Sequence, residues 1–283
     1  MTEAPDPSIS WGELSRAQQT AAYDNSAAVP GSVADVTARA AESAAFRQAH
    51  SAKLDLLWGP SPRQGWDLFP ASDPGAPCLV FIHGGYWQRN ARAGFSILAE
   101  GLLSRGWSVA FPGYRLAPDA TLTQIVGDVH DGLDWLAAEG PAHGVAGPVV
   151  VSGWSAGGHL TAMALGHPVA VAGLAISGVY ELGPIRDSQL NEKLRLTDEE
   201  IVTLSPLRHA PVAKPMAIAY GSREVPMLVR DSRRLHARRA AAHCAGSLIP
   251  VAGAQHFSIL DTLRQPDGDL ARAAVEVLRL AGR

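Results

Sequence analysis

From residue 78 onwards, short continuous apolar runs alternate with longer segments whose apolar residues recur at helical spacing. The runs at 78–82, 107–111, 149–151, 171–177, 215–220 and 247–251 have the length and composition of strands buried on both faces. The segments at 95–104, 121–138, 158–165, 227–242 and 257–280 carry helical spacing, the last one broken near Pro266-Asp267-Gly268. Such alternation predicts an α/β fold: a mostly parallel central sheet flanked by helices, with any ligand beyond the carboxyl ends of the strands.

The chain before that region reads differently. Residues 11–50 are Ala-rich and polar, helical in pattern and interrupted at Pro30-Gly31, so residues 1–50 are expected to form a helical segment over the domain, as part of a lid. Two short apolar runs, 53–58 and 65–70, flank Gly59-Pro60-Ser61-Pro62 and predict a hairpin or a pair of edge strands. Residues 181–211 are polar, with Thr197-Asp198-Glu199-Glu200 shaped as a capping box. They are expected to be an insertion that, with the N-terminal helices, makes a small cap on a domain spanning 51–283.

Composition narrows the function classes. A chain of 283 residues suffices for one large α/β domain, and 47% hydrophobic with 18% charged residues is the balance of a soluble globular protein. No apolar run nears the ~20 residues needed to span a bilayer. Residues 1–10 have neither the basic nor the apolar part of a secretory signal. A cytoplasmic address without a membrane partner is therefore expected. A formal charge of −3 leaves no basic footprint for nucleic acid. Cys78, in a strand run, and Cys244, in an Ala/Arg-rich helical pattern, are expected as buried reduced thiols. A homodimer is compatible with all of these features.

The chemistry centres on Gly153-Trp154-Ser155-Ala156-Gly157, a G-x-S-x-G turn placed where the 149–151 run hands over to a helix. Such a turn strains its central residue and exposes the hydroxyl, while the glycines let strand and helix approach, so Ser155 is the candidate nucleophile. A serine hydroxyl needs a general base, and the base needs an orienting acid. His256, in the loop after the last strand, is the candidate base. His159 rides on the helix behind Ser155 and is expected to pack or cap. His236 and His243 lie among arginines on a helix surface, and His209 sits in a Pro-flanked loop without further indication. Glu224, just after the 215–220 run, is the candidate acid, with Asp231 in reserve. Asp261, Asp267 and Asp269 follow the histidine and break the order Ser, acid, His. His83-Gly84-Gly85-Tyr86 follows a strand, and its adjacent glycines free the N–H groups of Gly85 and Tyr86 to face an oxyanion opposite the N–H of Ala156, while His83 braces the loop.

HGGYW at 83–87, GYRLAP at 113–118 and GWSAGGHL at 153–160 together resemble the HGG-type esterase branch of the α/β-hydrolases. SGVYEL at 177–182, LN at 190–191, SPL at 205–207, GSREVPMLVRDS at 221–232 and QHF at 255–257 narrow the resemblance to the arylformamidase (kynurenine formamidase-like) group. It covers residues 50–265, with a weaker echo at Tyr23-Asp24-Asn25. The resemblance implies the α/β-hydrolase fold, a triad of Ser155, Glu224 and His256, an oxyanion loop at Gly84, Gly85 and Tyr86, and no metal or cofactor. The chain departs from the group at Glu224, where the animal enzymes commonly carry Asp, and at Trp154, where relatives often carry His or Ala. Both departures bear on substrate more than on mechanism.

The activity so implied is release of a small acyl group, formyl or acetyl, from an aryl amide or ester, with a general short-chain carboxylesterase as the alternative. Trp87, Trp154, Tyr180 and Asn191 are candidate substrate contacts. Tyr86 and Trp87 either narrow the acyl pocket or pack against the N-terminal helices. Arg89 or Arg186 could meet a substrate carboxylate. A non-catalytic binding protein on the same scaffold would lack a triad member, and each type is present. A metal-dependent formamidase would need clustered ligands, and the dense patch Asp128-Val129-His130-Asp131 reads as the polar face of a helix.

Overall fold

The computed structural model describes residues 11–282. The reading of residues 1–10 lies outside them. Among the described residues the strands are β1 (Lys53–Leu57), β2 (Gly65–Phe69), β3 (Cys78–Ile82), β4 (Ser108–Pro112), β5 (Val149–Trp154), β6 (Ala170–Ile176), β7 (Met216–Gly221) and β8 (Leu248–Val251). They form one sheet in the order β1-β2-β4-β3-β5-β6-β7-β8. The β1–β2 hairpin joins β4 antiparallel, and the pairings from β4 to β8 are parallel.

The apolar runs divide between the two faces with the strand period of two. Leu79, Phe81 and Val150 enter one core, and Val80, Ile82 and Val151 enter the other. Register aligns the exits: Ile82 lies opposite Gly153, Trp154 opposite Ile176, and Gly221 opposite Val251. The loops that follow β3, β4, β5, β6, β7 and β8 therefore leave along one edge.

The helix Leu122–Glu139 starts at Thr121, whose side chain and that of Gln124 form a capping box. Pro226 opens the helix Pro226–Ala241, where its missing N–H costs nothing. The segment expected as one helix at 95–104 is instead a 3-10 stretch, Arg92–Ala99, followed by a single α turn, Glu100–Leu103. The N–H of Ile97 donates to Ser43 Oγ at 3.2 Å, which diverts it from the α-helical ladder. Cys244 is half-buried and not helical, because the chain leaves its helix at Ala242 and His243 takes a φ of +55°. Cys78 is buried, which pushes its thiol up to about 12.

The helix Ser32–Ala49 lies along the 92–99 segment and is fastened to the sheet by charge. Asp67, fully buried on β2, pairs with Arg47 and with Arg92 Nε at 3.2 Å, and Arg92 also reaches Asp55 at 2.5 Å. The 181–211 excursion holds the short helices Gly183–Arg186, Asn191–Leu194 and Asp198–Leu204, the last begun by the Thr197–Glu200 capping box. Among the described residues no helix is long and apolar enough to cross a membrane.

Candidate active site

Ser155 occupies the turn between β5 and the helix Ala156–Ala164 with φ +60° and ψ −119°, a conformation costly for a residue with a side chain. Its N–H donates to Ile176 O at 2.8 Å, which anchors the turn to β6. Close approach explains the glycines around it. A Cβ on Gly84 would fall 2.6 Å from Trp154 O, and one on Gly157 would fall 2.8 Å from His83 O.

Ser155 and His256 line one cavity of about 200 Å³, walled by Gly85, Tyr86, Trp154 and Phe257. Its roof comes from the N-terminal segment, through Asn25, Ser32, Val33, Val36 and Thr37. Trp154 also holds the histidine loop: its Nε1 donates to His256 O at 2.8 Å, and the two ring centroids are 4.8 Å apart. Arg39, from the helix Ser32–Ala49, donates to Phe257 O at 3.0 Å.

Of the two acids, Glu224 is the one that faces the imidazole. Its Oε2 lies 3.5 Å from His256 Nδ1, at the outer limit of a hydrogen bond, as in many catalytic pairs before substrate tightens them. Its Oε1 accepts from Ser177 Oγ at 2.5 Å and from the Gly221 N–H at 2.9 Å. Asp231 points elsewhere. Its Oδ2 accepts from the Tyr23 hydroxyl at 3.4 Å and from the Tyr180 N–H at 3.3 Å.

The 83–87 loop carries φ values of +127° at Gly85, +54° at Tyr86 and +59° at Trp87. Among the described residues the N–H groups of Gly85, Tyr86 and Ala156 meet no backbone acceptor. The Gly84 carbonyl is tied back by His83 Nδ1 at 2.8 Å and by Asn90 Nδ2 at 3.0 Å, and the Tyr114 hydroxyl donates to His83 O at 2.8 Å. Burial pushes His83 down to about 4, so the ring stays neutral near pH 7. The Tyr86 hydroxyl donates to Tyr23 O at 2.7 Å and accepts the Asn25 N–H at 3.0 Å.

Three of the expected substrate contacts are packing residues. Trp87 is fully buried and meets His159 edge-on at 5.1 Å, on the side of the loop away from the cavity lining. Tyr180 is fully buried against Gly178. Asn191 accepts the Leu196 N–H at 2.8 Å and closes a turn of the 181–211 excursion. Trp154 does line the cavity. Tyr86 both lines it and packs against the N-terminal segment. Arg186 pairs with Asp187 and Asp198, whereas Arg89 lines the cavity, 5.0 Å over the Tyr86 ring, with no salt bridge among the described residues.

His159 is buried with Nε2 2.7 Å from Leu204 O, and burial pushes it down to about 4. Asp128 is buried and takes the Arg115 guanidinium at 2.5 Å. Among the described residues no group of three His, Cys, Asp or Glu is arranged to hold a metal ion. Asn90 lies outside every motif named above, and Ser177 opens SGVYEL, a segment that by itself assigns the serine no role. Two signals in the sequence point to Ser177: its place at the head of SGVYEL and its position directly after β6, on the edge that gathers the other loops of the site.

Residues 68–168 match the BD-FAE family. The chain is 26% identical over 275 residues to a kynurenine formamidase of Danio rerio, covering 89% of this chain and 93% of that one. It is 29% identical to esterase LipC of Mycobacterium tuberculosis, over 74% of this chain and 60% of that one. A Silicibacter sp. structure, provisionally described as a thioesterase, superposes with a TM-score of 0.81 at 28% identity, covering 90% of this chain and 97% of that chain. With the strand order, the strained serine turn and these similarities together, the chain is a hydrolase of the α/β-hydrolase fold, in its esterase branch and close to the arylformamidases.

Proposed function

We propose that this hydrolase is a serine enzyme of arylformamidase type, removing a small acyl group, formyl or acetyl, from an aryl amide or aryl ester. Ser155 Oγ adds to the carbonyl carbon as His256 takes its proton, and Glu224 orients the imidazole and stabilises its charge. The N–H groups of Gly85, Tyr86 and Ala156 receive the oxyanion, a contribution of typically ~10²–10³ in turnover per donor. Collapse breaks the bond to the aryl amine or alcohol, which leaves with the proton from His256. Water then adds to the acyl-serine by the same route, releasing the carboxylic acid and restoring the hydroxyl.

The observation that carries this reading is the shared cavity, lined by a serine on a strained turn and by a histidine backed by a buried carboxylate. Similarity to a kynurenine formamidase along most of both chains supports an aryl formamide as substrate. An aryl amine leaves far more readily than an alkyl amine, so no further acid is needed beyond His256. Arg89, which lines the cavity and has no salt bridge among the described residues, supports a substrate that carries a carboxylate. The second reading, a short-chain carboxylesterase, is favoured by the 29% identity to esterase LipC.

A fluorophosphonate probe is expected to label the wild type and not Ser155→Ala. Steady-state comparison of N-formylkynurenine with short aryl esters then separates the readings. A preference for the esters by orders of magnitude replaces the formamidase with the carboxylesterase. Labelling and turnover retained in Ser155→Ala overturn both.

A further inference from the structure

We infer that Ser177 is a positioning residue of this site: its hydroxyl fixes the Glu224 carboxylate in the orientation that faces His256. The inference rests on the proposed triad. Ser177 directly follows β6 and is fully buried, between the strand exits that carry Ser155 and Glu224. Its Oγ lies 2.5 Å from Glu224 Oε1, and an ionised carboxylate only accepts, so the hydroxyl proton is directed there. The Gly221 N–H occupies the same oxygen at 2.9 Å. With Oε1 held from two sides, Oε2 is the oxygen turned toward His256 Nδ1. Removing the hydroxyl leaves one anchor, and the last torsion of a glutamate has broad wells that do not restrain it.

The backbone argues that packing is not the reason for a serine here. Ser177 has φ +51°, a conformation that glycine adopts freely and serine at a cost. The turn is held there by the Ser177 N–H, which donates to Ala219 O at 2.8 Å. A glycine would relax that backbone, and the next residue, Gly178, already is one. What serine adds is the hydroxyl, and its hydrogen-bond partner is Glu224.

The test compares Ser177→Ala and Ser177→Gly with the wild type by kcat and KM on a short aryl ester, by thermal midpoint, and by the rate of fluorophosphonate labelling. In the folded variants kcat is expected to fall about tenfold or more, the size of a lost hydrogen bond to a charged group. KM stays within about twofold, and labelling slows by the same factor as kcat. Ser177→Cys, a weak donor, falls between Ser177→Ala and the wild type. In a Glu224→Gln background Ser177→Ala makes no further difference, because its effect passes through the carboxylate.

A kcat within about twofold of wild type in a folded Ala or Gly variant overturns the inference, as does an undiminished loss in the Glu224→Gln background. Should Ser177→Ala not fold, Ser177→Gly, which relaxes the backbone, gives the reading. Turnover persisting in Ser155→Ala is the distinct result that removes the triad and this role together.

Discussion

Trp154 joins two loops that meet only in the folded chain: it precedes Ser155 and donates its indole N–H to the carbonyl of His256. Trp154→Phe keeps an aromatic side chain but loses the indole N–H and leaves that buried carbonyl unpaired, an expected loss of about 1–3 kcal/mol in urea unfolding from the hydrogen bond alone. Arg89 and Arg186 separate by their partners. Arg89→Ala is expected to raise KM for an anionic aryl formamide about tenfold, the scale of one charge-assisted hydrogen bond, and to spare a neutral aryl ester. Arg186→Ala changes neither, since that guanidinium is already paired with Asp187 and Asp198.

Asp231 adds a pH dependence of its own. Burial pushes it up to about 6 from an ordinary 3.8, against the pull of Arg230. A carboxyl whose pKa is raised by folding lends stability that is full below its unfolded pKa and is lost as pH rises through the folded one. Asp231→Asn keeps an acceptor for Tyr23 and Tyr180, so the wild type is expected to lose stability relative to the variant between about pH 4 and pH 7, by at most about 3 kcal/mol. Urea midpoints measured across that range check it. The positions of Ser155, Glu224 and His256 were legible because turn glycines and strand ends mark them. The burial of Trp87 and Tyr180 was not, because a large aromatic in a loop after a strand carries the same sequence pattern whether it faces a cavity or the core.

At the scale of elements, the helix Ser32–Ala49 matters less for its own stability than for what it covers. Val36 and Thr37 close the cavity from above, and Val33, 76% exposed, stands at its rim. Val36→Phe is expected to slow butyryl and longer aryl esters much more than formyl or acetyl ones, while Val36→Ala relaxes that limit. A chain-length series of aryl esters reads both, and equal rates along the series in Val36→Phe would remove the roof from substrate selection. The strands were legible as apolar runs, since burial on both faces leaves no polar interruptions. The 92–99 segment was not, because its departure from the α-helix depends on Ser43, a residue remote in sequence that captures one of its N–H groups.

Across the whole molecule, the six parallel strands place their following loops along one edge, and the roof is tied to that edge through Arg39 and Tyr86. Arg39 holds the loop of His256 through Phe257 O, and Tyr86 reaches up to the backbone of Tyr23 and Asn25. The sequence order of these groups says nothing of such ties, which explains why residues 11–50 read as a separate covering segment. Tyr86 has a double attachment, its hydroxyl in the N-terminal turn and its main-chain N–H among the proposed oxyanion donors. A guest too bulky for the enclosure must lever that turn aside, and in doing so it drags the donor off its mark. Oversized compounds would then bind and wait, so that discrimination is expressed in the speed of the chemistry and not in the strength of association.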